Sequence, residues 1–483
     1  MSHQREQKSL HPGRSRERLV LCGNLQAVRK GADLLRRAPG FRAPIGAVIF
    51  GGTAFKTIAR LPVLESLSSA AKEAGVHGVH FVACDSHLAP ESAQHLLEVA
   101  SALGAQVFSI QGEGEAVHLR PWGLHDVLPS SQSHADHAEM KAVFAGRTVL
   151  VTGAGGSIGS ALCQHLAHLS PSRIILLDNC EYNLFRIEQV LQTHFPRVQR
   201  TAVLCDIREG ESLRRHFERE RPEFVLHAAA LKHVPIVEAH PCEGVLTNVA
   251  GTRHVAIAAR AVNACMVFVS TDKAVSPRSI MGATKRIGEM LCQAYDCEGG
   301  SRMISVRLGN VLGSAGSVAP VFEGQIARGG PVTVTEPAVT RYFITIPRAA
   351  EFLLSAAAIG CTHAAPRGGV HVLEMGAPIA VVDLARMMIR LAGKRPEQDI
   401  EITFTGLRSG EKMSEQLIAD EEQVSHIVSE EIHAVSGPRR DLRALEQEID
   451  RLIGLARAGQ DDRVRSLLHH MVAAIADPAA IAA

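Results

Sequence analysis

The sequence predicts an α/β protein. Its main body is a Rossmann-type doubly wound parallel sheet with a smaller carboxyl-terminal substrate lobe, preceded by a small amino-terminal α/β domain. Three observations predict this. Short apolar β-branched runs alternate with stretches of helical period from Leu19 onward. Gly153, Gly156 and Gly159 form a G-x-x-G-x-x-G array between one such run and a helix. The next run, RIILLD, ends in an acid, Asp178, nineteen residues beyond Gly159.

At 483 residues the chain has length for two or three domains. A formal charge of +1 gives no electrostatic footprint for a nucleic acid partner. The ten cysteines are scattered with no Cys-x-x-Cys, so reduced thiols of a cytoplasmic protein are expected, with no disulfide framework and no metal site. The first residues, MSHQREQKSLHPGRSRE, are polar and basic without an apolar core, which predicts a mobile tail over 1–18 and no secretory signal. Apolar runs such as Ile45 to Phe50 fall far short of the ~20 residues a bilayer requires, so no transmembrane segment is expected.

Over 19–111 the order is strand LVLCG, helix Leu25 to Arg37, strand AVIFGG, helix Leu61 to Ala74, strand VHFVAC, helix Pro90 to Leu103, strand AQVFSI. This is a small parallel domain. Its first turn offers Gly23 alone, which favours a scaffold or oligomerisation role over a nucleotide site and leaves both open. Residues 112–146 are rich in His, Ser and Pro and read as a linker. On that reading His118, His125, His134 and His137 are solvated rather than metal-binding.

Arg147 opens the second domain. In RTVLVTGAGGSIGSAL the glycines permit a tight turn and close approach to a pyrophosphate, whose charge the helix amino end at Ser157 and Ile158 would hold. Asp178 can accept from both adenosine ribose hydroxyls and would repel a 2'-phosphate, which favours NAD over NADP. The third strand, TAVLCD, ends at Asp206 with Ile207 following, where adenine edges are met. The fourth, FVLHAAALKHVP, carries the small run Ala228, Ala229, Ala230, then Lys232 and His233. Lys232 can contact phosphate or sugar; a lone His at a strand end is more often structural.

The chemistry is expected on MVFVSTDKAVSPRSIMGATK, Met266 to Lys285. Ser270, Thr271, Asp272 and Lys273 follow a buried strand at its carboxyl end, where open α/β sheets bind ligands. Pro277 punctuates the chain, Ser279 can cap a helix, and Met281 and Lys285 share one face of it. A DK dipeptide alone is usually a surface ion pair. With the glycine loop, Asp178 and the M-x-x-x-K spacing beside it, the active-site reading is preferred. A sixth strand, RMISVRLGN, ends at Asn310.

The runs VTGAGGSIGS, HAAALKHVP, STDKAVSP, MGATKR, RLGNVLGSAGSV, GGPVTVTEPAVTRYF and TGLRSGEK, from Arg147 to about Lys412, resemble extended short-chain dehydrogenases called CapD-like polysaccharide biosynthesis proteins. The enzymes this group resembles are UDP-N-acetylglucosamine 4,6-dehydratases. Short-chain dehydrogenases carry Tyr-x-x-x-Lys where this chain has Met281 and Lys285, and none of Tyr182, Tyr295 and Tyr342 has a lysine four residues later. Met for Tyr resembles the long-form, C5-retaining subgroup, as does the preceding α/β domain. The chain departs from that subgroup in lacking membrane-spanning helices and in Ser409, where the family has proline.

The resemblance implies an extended short-chain dehydrogenase domain over 147–483, its NAD-binding sheet over 147–310 and its substrate lobe over 311–345 and 370–483. The family's redox cycle oxidises C4, eliminates water across C5 and C6, and returns hydride to C6. It implies Lys273 as C5 base, Asp272 as acid on the C6 oxygen, Thr271 on the C4 oxygen and Lys285 on the nicotinamide ribose. Arg341 and Arg408 suit a diphosphate, Glu411 a ribose or uracil group, and Asn310 and Lys232 the bound UDP-N-acetylhexosamine; loop salt bridges are the competing reading for the arginines. A homo-oligomer is expected. The same residues leave room for a UDP-sugar 4-epimerase, which needs no acid at C6, and for a non-catalytic sugar-nucleotide-binding scaffold.

Overall fold

The computed structural model describes residues 18–476 apart from 39–40, 42, 75–78, 86–87, 114–115, 129–136, 362–365, 428 and 430. The expected tail, save Arg18, and His134 lie outside the described residues. The chain divides into two compact units, Met1–Ser130 with Val321–Pro337 and Val381–Thr405, and Ser131–Pro320 with Ala338–Ala380 and Gly406–Ala483.

In the first unit, strands β1 (Arg18–Gly23), β2 (Gly46–Ile49), β3 (Val79–Ala83), β4 (Val107–Glu113) and β5 (Ala116–Pro121) form one sheet in the order β2-β1-β3-β4-β5. All neighbours are parallel except the β4–β5 hairpin. That hairpin corrects the expected linker: Val117 and Leu119 are buried, so the alternation of AVHLRP is a strand's period of two. The expected helix from Leu61 begins only at Leu67. Before it, Thr57–Ile58 pairs with Leu61–Pro62 through a turn at Ala59 and Arg60, both with positive φ. Part of the expected substrate lobe also belongs here. Met387 and Leu391, on the helix Val381–Leu391, pack on this unit's core, and Ser101 Oγ donates to Lys394 O at 2.8 Å.

The second unit carries β6 (Thr148–Thr152), β7 (Arg173–Asp178), β8 (Arg200–Leu204), β9 (Phe224–His227), β10 (Cys265–Thr271), β11 (Met303–Leu308), β12 (Val370–Leu373), β13 (Gln423–Ile427) and β14 (Ile432–Ser436). They form a nine-stranded sheet, β8-β7-β6-β9-β10-β11-β12-β14-β13. The first seven strands are parallel and carry the doubly wound order. Three strands from the expected substrate lobe, β12 and the antiparallel pair β13–β14, therefore extend a sheet expected to end at β11. Val149, Leu150 and Val151 on β6, and Met266, Val267 and Phe268 on β10, are buried on both faces, as parallel strands under helices must be. The helices Leu442–Arg457 and Asp461–Ala476 join the core that includes Val249, Ile287 and Met290.

Helix α1 (Ser157–His168) follows β6, and α2 (Ile280–Glu298) follows β10. Ser279 Oγ caps α2 by accepting from Gly282 N at 3.1 Å. Gly282 matters for a second reason, since a Cβ there would lie 2.2 Å from the Lys273 carbonyl oxygen. Only glycine lets α2 pass this close to the end of β10. Behind the same strand lies a buried network. Arg307 donates to both carboxylate oxygens of Glu289 and of Glu422 at 2.6–2.8 Å. Arg286 joins both acids, and Ser270 donates to Glu289 at 2.6 Å. It pins β10, β11, α2 and the 417–422 segment together. The thiol expectation needs correction too: a Cys265–Cys361 disulfide, Cα–Cα 6.2 Å, joins the start of β10 to the end of the helix Ile346–Gly360, a pairing invisible across 96 residues of sequence.

Candidate active site

The carboxyl ends of β6, β9 and β10 open onto a cavity of about 760 Å³ within the second unit. The turn after β6 is shaped by contact. A Cβ on Gly153 would sit 2.9 Å from the Ala229 backbone, and one on Gly159 would sit 2.0 Å from the Gly153 carbonyl. Gly153, Gly156, Ser157, Ile158, Gly159 and Ala228 line the cavity. Asp178 does not; it is buried at the end of β7, where its oxygens accept from Gly155 N and Cys180 N, each at 2.9 Å.

A glycine turn without room for side chains, a helix amino end beyond it and a carboxylate on the adjacent strand fit a dinucleotide. Two expected contacts differ. Asp206 accepts from Arg208 N and Nε and from Asn179 Nδ2. Burial raises its pKa, and these bonds, Arg208's foremost, outweigh that and lower it. The Ile207 side chain turns into the core, filling the space that Gly251 leaves, so it offers no side-chain edge to a ligand.

At the end of β10, Thr271, Lys273, Met281 and Lys285 line the cavity. Thr271 Oγ1 donates to Asp272 Oδ1 at 2.8 Å, and Lys273 Nζ donates to the same oxygen at 2.9 Å and to Asn310 Oδ1 at 2.8 Å. Asp272 is fully buried behind them and, among the expected catalytic residues, it alone is absent from the cavity wall. Its Oδ2 has no hydrogen-bond partner. Lys285 Nζ donates to Val269 O at 2.9 Å, and burial lowers its pKa to about 8. His227, buried between Thr152 and Thr252 hydroxyls, is driven to about 3 by burial and then by Lys285, so it stays neutral. Met281 is buried on the wall, where it can exclude water but cannot exchange a proton.

The expected substrate residues divide. Lys232, Asn310, Arg341, Arg408 and Glu411 all line the cavity. Arg341 is buried and already committed, donating to Thr340 O, Met413 O, Lys412 O and Glu411 Oε1. It holds the 408–415 segment in place. Asn310 likewise serves Lys273, and Lys232, whose pKa burial lowers, donates to Ser314 Oγ at 3.1 Å. Arg408 is exposed on the cavity wall. Sequence reasoning missed Glu415, which lines the cavity with its Oε1 3.8 Å from Lys273 Nζ.

The model of the family described as polysaccharide biosynthesis protein matches residues 149–437. The chain belongs to that family. Capsular polysaccharide biosynthesis protein CapD of Staphylococcus aureus is 42% identical over 67% of this chain and 54% of its own length. The chain thus spans about half the length of that relative. A UDP-N-acetylglucosamine 4,6-dehydratase (inverting) of Campylobacter jejuni is 29% identical over 64% of this chain and 87% of its own. A UDP-glucose 4-epimerase of Rickettsia akari is 33% identical over 58% and 80%. The X-ray structure of Pen from Bacillus thuringiensis superposes with a TM-score of 0.53 at 32% identity, covering 61% of this chain and 88% of that one. This family member therefore has the fold of nucleotide-sugar dehydratases and epimerases. Among the described residues no helix is long and apolar enough to cross a membrane.

Proposed function

We propose that the chain is an NAD-dependent nucleotide-sugar 4,6-dehydratase acting on UDP-N-acetylglucosamine in polysaccharide assembly. One observation carries this: Thr271, Asp272 and Lys273 form a single hydrogen-bonded set at the cavity, with a second amine, Lys285, beside it and a thioether where a tyrosine would be. A 4-epimerase moves protons at C4 alone. Acid and base together suit elimination across C5 and C6.

The Gly153–Gly159 turn, Asp178 and Lys285 would hold the dinucleotide, which when bound accepts hydride from C4 of the sugar and supplies it to C6. Thr271 Oγ1 accepts the C4 hydroxyl proton while passing its own to Asp272 Oδ1, 2.8 Å away. Lys273 Nζ takes the C5 proton, acidified by the neighbouring C4 carbonyl. The leaving C6 hydroxyl draws its proton from the Asp272–Lys273 pair, whose members are 2.9 Å apart. Lys285 adds positive charge near the developing enolate. Arg408 meets the diphosphate at the rim.

The epimerase reading is favoured by one observation, the 33% identity to a protein named UDP-glucose 4-epimerase. Mass spectrometry of UDP-N-acetylglucosamine incubated with protein and NAD separates them. Dehydration yields a product lighter by one water, absent with Lys273→Ala although NAD still binds. A product of unchanged mass supports the epimerase.

A further inference from the structure

We propose that Glu415 is a positioning residue that exchanges a proton with Lys273 and completes the proton path of the cavity. Three acceptors surround Lys273 Nζ: Asn310 Oδ1 at 2.8 Å, Asp272 Oδ1 at 2.9 Å and Glu415 Oε1 at 3.8 Å. The amide of Asn310 cannot hold an added proton. Asp272 is sealed from the cavity, and in the proposed mechanism its Oδ1 is taken up by the C4 hydroxyl proton that Thr271 relays. Glu415 has a place on the wall, and its ion pair with Lys412 engages Oε2 while Oε1 is the oxygen nearer Lys273. Its side chain is 3% exposed, and its Oε2 is buried without a hydrogen-bond partner, 3.3 Å from Lys412 Nζ.

This carboxylate is placed by its whole segment. Lys412 Nζ donates to Val275 O at 2.7 Å, just past the catalytic turn. Arg341 grips the Lys412 carbonyl at 2.8 Å, and Glu422 is held by Arg307 and Arg286. A buried acid costs free energy unless something is gained by its position. Here it faces an amine that must lose and regain a proton.

The need follows from proton accounting under the dehydratase reading, on which this inference rests. Asp272 takes the C4 hydroxyl proton through Thr271, Lys273 takes the C5 proton before water leaves, and C5 regains a proton only afterwards. The C5 proton needs a site between those two events, and the Met281 thioether cannot supply one. The Lys273 ammonium N–H breaks as an O–H forms on Glu415, with no change of oxidation state, and the step reverses when C5 is protonated. A separation of 3.8 Å without substrate is of the kind that tightens when substrate binds. The remaining ionisable groups on the cavity wall are Lys232, His233, Lys285, Arg341, Arg408 and Glu411. Of these, Glu411 is already paired with Arg341.

The test is trace acetylation of full-length wild type, Glu415→Gln and Glu415→Asp across a pH series, following the Lys273 peptide by mass spectrometry. Loss of the Glu415 charge is expected to lower the pH of half-maximal Lys273 labelling by about half a unit or more in Glu415→Gln, with a smaller shift in Glu415→Asp. An unchanged labelling profile in Glu415→Gln overturns the proposal, whatever the protein turns over. Should that variant fail to unfold cooperatively, Glu415→Asp decides, and a wild-type profile there overturns it. With UDP-N-acetylglucosamine, kcat is expected to fall at least about tenfold in Glu415→Gln while KM changes less than about threefold. Full kcat in that variant also overturns the proposal. A wild type that releases no water defeats the dehydratase reading, and the labelling still decides Glu415.

Discussion

Lys285 rests its Nζ 4.6 Å from the centroid of the Phe268 ring while donating to Val269 O at 2.9 Å, so a buried ammonium is held against the strand that carries the catalytic turn. Burial lowers its pKa to about 8, with Cys292 and Glu289 opposing that only in part. The unfolded chain therefore holds this proton more tightly. Stability should rise with pH between about 8 and the ordinary lysine value near 10.4. Turnover should move the other way, because the cation that supports proton loss is titrated away above about pH 8. Denaturant midpoints and kcat over one pH series check both, and Lys285→Met should lose the stability rise.

The two arginines of the cavity wall should separate cleanly. Arg341→Ala removes a buried cation with four acceptors and should cost about 3–5 kcal/mol, read as a lower denaturation midpoint. Arg408→Ala, at an exposed side chain, should leave the midpoint within about 0.5 kcal/mol and raise KM roughly tenfold.

Arg307 is completely buried between Glu289 and Glu422. Arg307→Met would leave two buried carboxylates sharing Arg286 as their remaining close cation and should destabilise by about 3–5 kcal/mol in urea titrations. Replacing Arg286, Arg307 and both acids together with apolar residues should recover much of that loss.

Gly159→Ala should abolish dinucleotide binding in a calorimetric titration, since its Cβ would meet the Gly153 carbonyl at 2.0 Å. Gly156→Ala, with the same carbonyl at 3.2 Å, should weaken binding less.

Much of this fold lies open in the sequence because it rests on local signals. The β6 turn is announced by its glycines, β7 by its terminal Asp178, and α2 by Ser279 and the spacing of Met281 and Lys285. What local pattern cannot show is pairing across distance. Glu422 meets Arg307 and Glu415 meets Lys273 only after the chain has folded, and no period or motif links them. Arg341 illustrates the same limit, since its residue type suits a diphosphate while its position commits it to carbonyls. The β4–β5 hairpin was legible in the alternation of AVHLRP but was masked by neighbouring His, Ser and Pro.

The most direct test of dehydration is proton NMR of the purified chain with UDP-N-acetylglucosamine and NAD in deuterated water. A new C6 methyl signal with deuterium at C5 is the expected result. Formation of UDP-N-acetylgalactosamine, or no change in the sugar while it binds, would contradict it.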